Sequence, residues 1–281
     1  MRVAALLVLA ALPATAEVRH ESFRSEALGR DVSVTVHLPP SYASGSARYP
    51  VVYALHGLFE SDGFWERRGL AQQLDQLWAR QALPEFVVVA PDGGNSFFVN
   101  GPKGRHEDLV TRDLPAWAEG ALRVRPGRDQ RALLGISMGG YAALRIAFAR
   151  PEAFGRVATH SAMLLTQPPS REQGAGRWHM AAFEAVFGSP VDGTLWAAND
   201  PLALAETADV KGLPALRLDC GADDRYGLAE GHRRLHATLE RRHVPHAFEL
   251  PPGDHGYEFV RAVLERSLAF LGEGWGGPRP R

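Results

Sequence analysis

Six short apolar runs, separated by polar and helix-patterned sequence, constrain the fold more than any other feature of the chain. Runs without alternation are expected of strands that are buried on both faces, and their alternation with helical segments indicates a mostly parallel sheet with helices on both faces. Val32, Val34 and Val36 alternate with polar residues after a turn at residues 28–31, which predicts an antiparallel N-terminal hairpin. The runs are YPVVYALHG, EFVVVAPDGG, RALLGIS, RVATHSAM, LPALRLDCG and HAFELPPG.

Composition indicates an ordinary globular protein. The chain has 281 residues, of which 45% are hydrophobic and 22% charged, with a formal net charge of −1. That length can bury a sizeable core, and the balanced charge argues against a nucleic-acid partner. Without a repeat or an evident linker, we expect one domain over residues 17–272. A Gly- and Pro-rich insertion at 164–210 is predicted to cover the carboxyl edge of the sheet, and residues 273–281 are predicted to be a disordered tail.

The first 16 residues resemble a signal peptide. Arg2 precedes an apolar run, and Ala14-Thr15-Ala16 offers a small-x-small cleavage site. The run is shorter than the about 20 residues that span a bilayer, so no stable membrane insertion is expected. A buried N-terminal strand or helix is the alternative, which the polar chain directly after the run disfavours. We therefore expect cleavage near Ala16 and an exported, soluble protein, periplasmic or extracellular.

Cys220 is the only cysteine. An intramolecular disulfide and a metal site built on thiolates are therefore excluded. Because Cys220 follows an apolar run, a buried and inert thiol is expected.

Ser137 lies between two glycines where a predicted strand becomes a predicted helix. The segment Gly135-Ile136-Ser137-Met138-Gly139 has the G-x-S-x-G pattern of a nucleophile elbow, in which a serine occupies a turn too tight for large neighbours. The alternative is that the glycines only let the helix pack closely on the sheet. The strand before and the helix after favour the nucleophile.

A nucleophilic serine needs a base, and His255 is the best placed of the histidines. In the fold that carries this elbow the base follows the acid in the chain, on a loop after a late strand. His255 lies between the last apolar run and the last helical segment. The other late histidines are predicted to lie elsewhere: His243 and His246 at the wrong end of that strand, His232 and His236 solvated on a polar helix face.

The acid is expected in the loop after LPALRLDCG, which carries Asp223 and Asp224. Asp219 lies within the strand and is less available. The pattern alone does not choose between the two loop carboxylates, and the alternative is that both only cap the helix that follows.

An oxyanion hole requires two backbone N–H groups, one after the nucleophile and one from the loop after an earlier strand. Met138 supplies the first, and Leu58 or Phe59 the second. His56, which precedes the elbow in the chain, is expected to orient this loop through its ring. Residues predicted to line an apolar pocket, with lid packing as the alternative, are Phe59, Trp65, Phe97, Phe98, Met163 and Leu164.

From about Arg30 to Leu271, the sequence resembles the esterase D and bacterial mycolyltransferase group of α/β-hydrolases. Six separated blocks carry this resemblance in the right order, although no motif fixes a glutathione-linked, feruloyl or trehalose substrate. The blocks are LHGLFESDGFW, APDGGNSFFVN, EDLVTRDLPAW, GISMGGYAALRIAFARPEAFGRVATHSAML, NDPLALAE and PPGDHGYEF.

The resemblance implies a cofactor-free serine esterase with the α/β-hydrolase fold, and no metal site is expected. It implies Ser137 as nucleophile, His255 as base, and Met138 and Leu58 as oxyanion donors. The acid of the esterase D branch falls three residues after the loop glycine, which points to Asp224. We therefore expect a secreted carboxylesterase acting on small-molecule esters. The alternatives are an acyltransferase to an alcohol or sugar and, third, a non-catalytic binding protein.

Overall fold

A single large sheet forms the centre of the molecule. The computed structural model describes residues 16–172 and 174–276, apart from the side chains of 174–178. The strands are β1 (Glu17–Ser25), β2 (Arg30–Leu38), β3 (Val51–Leu55), β4 (Val87–Pro91), β5 (Asn100–Gly101), β6 (Gly104–Arg105), β7 (Arg131–Ile136), β8 (Arg156–His160), β9 (Ala215–Asp219) and β10 (His246–Glu249). Eight of them form the sheet in the order β1-β2-β4-β3-β7-β8-β9-β10, while β5 and β6 form a small ribbon.

The pairing confirms the predicted fold class. β1 and β2 form an antiparallel hairpin, and β2 pairs antiparallel with β4. From β4 to β10 every neighbouring pair in the sheet is parallel. The carboxyl ends of these strands therefore meet at one edge of the sheet, where open α/β folds bind ligands.

Helices follow most of the strands. They are α1 (Phe64–Arg67), α2 (Leu70–Ala79), α3 (His106–Asp108), α4 (Leu114–Ala121), α5 (Met138–Ala149), α6 (Gly174–Phe187), α7 (Gly193–Asn199), α8 (Pro201–Thr207), α9 (Leu228–Arg241) and α10 (Tyr257–Gly272). A π-helical turn, Leu109–Asp113, joins α3 to α4. The predicted insertion carries α6, α7 and α8 between β8 and β9.

Both faces of the sheet are buried, because successive side chains of a strand point to opposite faces. Val51 and Tyr53 of β3 join a core shared with α5 and α9. Val52 and Ala54 join a second core shared with α2 and α10. The continuous apolar runs in the sequence therefore correspond to strands covered on both sides.

Two terminal predictions have different outcomes. Residues 1–15, which carry most of the predicted signal peptide, lie outside the described residues, so export stays a prediction. The predicted disorder from residue 273 is wrong for residues 273–276. Trp275 is buried against Phe86, its Nε1–H donates to Asp129 O at 2.7 Å, and Glu273 pairs with Arg156. Residues 277–281 lie outside the described part of the chain.

None of the described helices is long and apolar enough to cross a membrane.

A buried ionic network fixes α5 against its neighbours. Glu107, on α3, pairs with Arg145 of α5, and both side chains are largely buried. Arg145 Nε also donates to Asn199 Oδ1 at 2.7 Å. Tyr141 OH donates to the backbone oxygen of Asn199 at the same distance. The helix α5, which follows Ser137 directly, is thereby tied both to α3 and to Asn199.

We expect Glu107→Ala to lower the free energy of unfolding by about 3 kcal/mol, because Arg145 would be left buried without its carboxylate. Urea denaturation followed by circular dichroism measures this. Glu152→Ala is the matched control, since Glu152 is exposed and pairs only with the surface residue Arg150. It should change the free energy by no more than about 0.5 kcal/mol. Equal losses in the two variants would contradict the prediction.

Candidate active site

The loops that follow four parallel strands converge at the carboxyl edge of the sheet. Leu58 follows β3, Ser137 follows β7, Asp224 follows β9 and His255 follows β10. The side chains of Ser137 and His255, together with Leu58, line one cavity of about 320 Å³. Asp224 lies behind His255, bonded to its ring.

Ser137 occupies a strained turn. Its φ of 55° and ψ of −113° lie outside the regions that L-residues favour. Space around it is so restricted that a Cβ on Gly135 would lie 2.2 Å from Gly139 O, and one on Gly139 would lie 2.4 Å from Leu55 O. Both contacts are to backbone atoms, which cannot swing aside. Glycine is thus required at both positions, because neighbouring backbone atoms leave no space there for a side chain.

Three backbone hydrogen bonds hold the turn in place. Ser137 N–H donates to His160 O at 3.0 Å, at the end of the neighbouring strand β8. Ser137 O accepts from Met163 N–H at 3.0 Å and from Tyr141 N–H at 2.9 Å. The serine backbone is therefore tied to β8, to the loop after β8 and to the first turn of α5.

His255 and Asp224 form a close pair. His255 Nδ1–H donates to Asp224 Oδ2 at 2.8 Å, and Asp224 Oδ1 accepts from Tyr226 N–H at 2.9 Å. Burial alone would raise the pKa of Asp224, but the hydrogen bond and charge of His255, with the backbone donors, outweigh it and lower the pKa. An ionised Asp224 thus accepts a hydrogen bond from the proton on His255 Nδ1, which leaves Nε2 of the neutral ring without a proton.

The two candidate acids differ in position. Asp224 is buried and faces His255, whereas Asp223 is exposed and contributes only a backbone bond to Gly253 O.

Within the described chain, no hydrogen bond joins Ser137 Oγ to His255 Nε2, although both residues line the cavity. Bonds of this kind are often long before substrate binds.

The backbone offers two N–H groups beside Ser137. Met138 is the first residue of α5, so its N–H has no partner inside the helix. Phe59 N–H is used by Asn95 Oδ1 at 2.7 Å, whereas Leu58 N–H has no hydrogen-bond partner among the described residues. Of the two predicted alternatives, the structure therefore leaves Leu58 as the available donor.

His56 holds the loop that carries Leu58. Its Nε2 accepts from Gly93 N–H at 3.0 Å, so the proton lies on Nδ1, which donates to Gly57 O at 2.8 Å. Burial lowers the pKa of His56, which favours this neutral form. The ring thus joins the loops after β3 and β4, in agreement with the orienting role that the sequence predicts.

Of the six residues predicted to line the pocket, only Phe59 and Met163 do so. Trp65 is fully buried beneath Phe64 and Tyr257. The remaining three are also buried: Phe97 against Tyr141 and Phe183, Phe98 against His56, and Leu164 beside a neighbouring cavity formed by residues 164–170. Their loops do surround the site, but these side chains turn inwards to the core. The prediction is wrong for these four residues.

Aromatic side chains that the sequence analysis missed form one wall of the cavity. The ring of His179, at a kink in α6, lies 5.4 Å from that of Phe59 and 5.5 Å from that of Tyr226. Tyr226 in turn meets the His255 ring edge-on at 4.8 Å. Phe64 and Tyr257 also line the cavity, with the Arg68 guanidinium over both rings. No local pattern marks these residues, because they come from four separate segments.

Two further polar features went unrecognised in the sequence. Asp219 and His160 form a fully buried pair, with Asp219 Oδ1 2.8 Å from His160 Nδ1, directly under the loops of the site. His232, predicted to be solvated, is fully buried, and its Nδ1–H donates to Leu228 O at 2.9 Å. Cys220 is buried as predicted, and burial together with the Asp224 charge raises its pKa.

Asp254 connects the loops that carry Asp224 and His255. Its Oδ1 accepts from His255 N–H at 2.6 Å and from Arg225 N–H at 2.8 Å. Its other oxygen pairs with the Arg225 guanidinium. The hydrogen bond from Arg225 is the main reason that the pKa of Asp254 falls to about 2. Asp254 therefore stays ionised in mild acid and holds the two loops together.

Comparison with known proteins places the chain among esterases. A family described as putative esterase matches residues 25–271. An esterase of Mycobacterium tuberculosis is 28% identical over 281 aligned residues, which cover 89% of this chain and 58% of the relative. The chain thus spans little more than half the length of that relative. The S-formylglutathione hydrolase of Paracoccus denitrificans is 28% identical, and the match covers 91% of both chains. The solved structure of a ferulic acid esterase, 24% identical, superimposes with a TM-score of 0.78 over 93% of this chain and 99% of its own, which shows the fold.

The connection made by Asp254 should depend on pH. The pKa of this carboxyl is lowered to about 2 in the folded chain, against about 3.9 when unfolded. Its stabilisation is therefore complete above the unfolded value and is lost as the pH falls through the folded value. We expect Asp254→Asn to lower the free energy of unfolding at pH 6 and to lower it less at pH 3, as measured by urea denaturation. Asp223→Asn is the control, and a loss in Asp254→Asn that is the same at both pH values would contradict the prediction.

Proposed function

The chain belongs to the putative esterase family, whose match covers residues 25–271, and on this basis we propose that it is a serine carboxylesterase with Ser137, His255 and Asp224 as catalytic triad. The observation that carries the proposal is the 2.8 Å bond from His255 Nδ1 to Asp224 Oδ2 beside a serine on a strained turn, with Ser137 and His255 lining one cavity. This is the arrangement of an activated serine nucleophile.

In the first step, Ser137 Oγ attacks the carbonyl carbon of an ester while His255 Nε2 takes its proton. The carbonyl electron pair moves to the oxygen, which the N–H groups of Met138 and Leu58 stabilise. Asp224 stays ionised and stabilises the imidazolium. When the tetrahedral intermediate collapses, His255 gives its proton to the leaving alcohol, and the acyl group stays on Ser137.

In the second step, water attacks the acyl-enzyme and His255 takes one of its protons. Collapse of the second intermediate returns that proton to Ser137 Oγ and releases the carboxylic acid. The oxyanion donors act in both steps, and each contributes roughly 10²–10³ in rate. Both steps use only side chains and backbone N–H groups of this protein, together with the ester and water, and they balance without a cofactor.

The cavity supports a compact acyl or alcohol group beside Ser137. Its volume is about 320 Å³, and its lining includes the rings of Phe59, Phe64, Tyr226 and Tyr257. The side chain of Phe59 is 63% exposed at the entrance, and its backbone has a positive φ of 64°. Because this ring is not packed in the hydrophobic core, it can move over a bound substrate without losing core contacts. These rings favour an apolar group close to the ester, and Glu60 and Arg68 add two charged side chains to the lining.

The acyl-enzyme also allows transfer to an alcohol in place of water, which is the acyltransferase alternative. The two are separated by adding an alcohol or sugar acceptor during turnover. A carboxylesterase continues to form mainly free acid, whereas a transferase diverts the acyl group to a new ester. The same product analysis identifies a non-catalytic binding protein, which would yield neither.

We expect Ser137→Ala to abolish hydrolysis of p-nitrophenyl esters from acetate to octanoate, because the acyl group then has no nucleophile to accept it. A fluorophosphonate probe should label the parent protein once, on the peptide that contains Ser137, and should not label the variant. Circular dichroism confirms that both proteins are folded. Hydrolysis that persists in the folded variant, or a label on another serine, would refute the assignment of the nucleophile.

Asp224→Asn should lower kcat by a factor on the order of 10⁴, as removal of the triad carboxylate does in serine proteases. The amide can donate to His255 Nδ1, which places the remaining ring proton on Nε2 and removes the base. KM should change little, since Asp224 does not line the cavity. The matched variant Asp223→Asn changes an exposed neighbour and should keep nearly full activity. A larger loss in Asp223→Asn would assign the acid to the other residue.

A further inference from the structure

A second cluster of ligand-type side chains lies where α9 meets the start of β10. His236 and Glu240 are one turn apart on α9, and His246 is the first residue of β10. One potential ligand atom from each of the three lies within 4.8 Å of the others. None of the three lines the cavity that contains Ser137.

The hydrogen bonds define the tautomers of the two imidazoles. His246 Nδ1 is 2.7 Å from Val244 O, a contact that only a protonated nitrogen can make. His246 Nε2 therefore carries a lone pair, and it accepts from His236 Nδ1 at 2.8 Å. A ring N–H bonded to a backbone carbonyl is the usual outer-shell arrangement of a metal-binding histidine. His246 is thus oriented as a ligand.

The other two side chains are also prepared for binding. The His236 ring stacks on Phe248, with centroids 4.3 Å apart, which fixes its orientation. Glu240 forms no ion pair with any of the described residues. The neighbouring Arg241 is engaged by Glu206, and Arg242 donates to Ala208 O. The carboxylate of Glu240 is therefore not held by these two arginines.

We propose that His236, Glu240 and His246 form a binding site for a divalent transition-metal ion, Zn²⁺ in the first place. Two imidazole nitrogens and one carboxylate oxygen are ligands that Zn²⁺ prefers, and water completes a tetrahedral shell. The ion takes the position of the proton now shared by the two rings. His236 binds through Nδ1 as the tautomer that is protonated at Nε2, so both imidazoles stay neutral.

The site needs only a small adjustment. Tetrahedral coordination at the usual Zn–N distance separates two ligand nitrogens by roughly 3.3 Å, against 2.8 Å between His236 Nδ1 and His246 Nε2. Glu240 is exposed, so its side chain can close on the ion without disturbing the core. A shift of a few tenths of an ångström in the two rings is within the reach of a strand start and a helix surface.

The position suggests a structural effect. β10 is an edge strand whose four residues are all partly exposed, and it pairs with β9 alone. α9 begins just after the loop of Asp224, and β10 leads into the loop of His255. A metal ion would connect this helix and strand at the amino end of β10, away from Ser137. We therefore expect an increase in stability with little change in esterase activity.

Zn²⁺ binding to tag-free, chelator-treated protein tests the site, with thermal unfolding and isothermal titration calorimetry as readouts. The parent should gain about 5 °C in Tm at a hundredfold excess of ZnCl₂ over the Kd. Glu240→Gln and His246→Gln should each weaken the Kd at least about tenfold, which is what loss of even an outer-shell partner causes. Co²⁺ should give the visible absorption of a tetrahedral complex.

His243→Gln is the matched control, because His243 is exposed and lies near the cluster without belonging to it. It should bind Zn²⁺ like the parent. Glu240→Gln changes a surface residue and should fold normally, which circular dichroism without metal verifies. The proposal is overturned if the parent gains no stability with Zn²⁺, or if the gain is the same in Glu240→Gln and His246→Gln.

Discussion

The backbone strain at Ser137 is the constraint on which the arrangement of the site depends. A residue in such a region of φ and ψ costs of order 1–3 kcal/mol, so its surroundings must hold it there. Those surroundings are backbone bonds to His160 and Met163 and the first turn of α5. The cores on both faces of the sheet, in turn, fix β7 and α5 relative to each other. The strain is thus balanced by packing that extends through most of the molecule.

His255 and Asp224 depend on a different kind of support. They lie on loops near one edge of the sheet, where β10 pairs with β9 alone, whereas β7 lies between β3 and β8. Ionic and backbone bonds replace packing there, and Asp254 provides several of them at once. This division has a chemical reason. A rigid core fixes the proposed nucleophile, whereas the proposed base, which must gain and lose a proton, benefits from partners whose charge compensates its own.

The sequence could predict what depends on local pattern. The strands, the tight turn at Ser137 and the position of His255 follow from apolar runs, glycine spacing and chain order. Only the family resemblance could favour Asp224 over Asp223. Asp224 is buried and Asp223 exposed because the loop from residues 251 to 254 binds the backbone beside them, and that loop is distant in the chain. The pocket was predicted poorly because facing a cavity or the core depends on side chains far away in the chain. The same reason explains why His232 is buried and why the cluster of His236, Glu240 and His246 was not foreseen.

Specificity should depend on the segment between β8 and β9 more than on the proposed triad. His179 of α6 meets Phe59 from the loop after β3 and Tyr226 from the loop after β9, so three separate segments form one aromatic wall. Tyr226 also contacts the His255 ring and follows Asp224 by two residues. A change in α6 would move the His179 part of the wall, whereas the bond between His255 and Asp224 is made by residues outside α6. Substrate choice can vary in this architecture while the proposed catalytic groups stay in place, because different elements carry the two tasks.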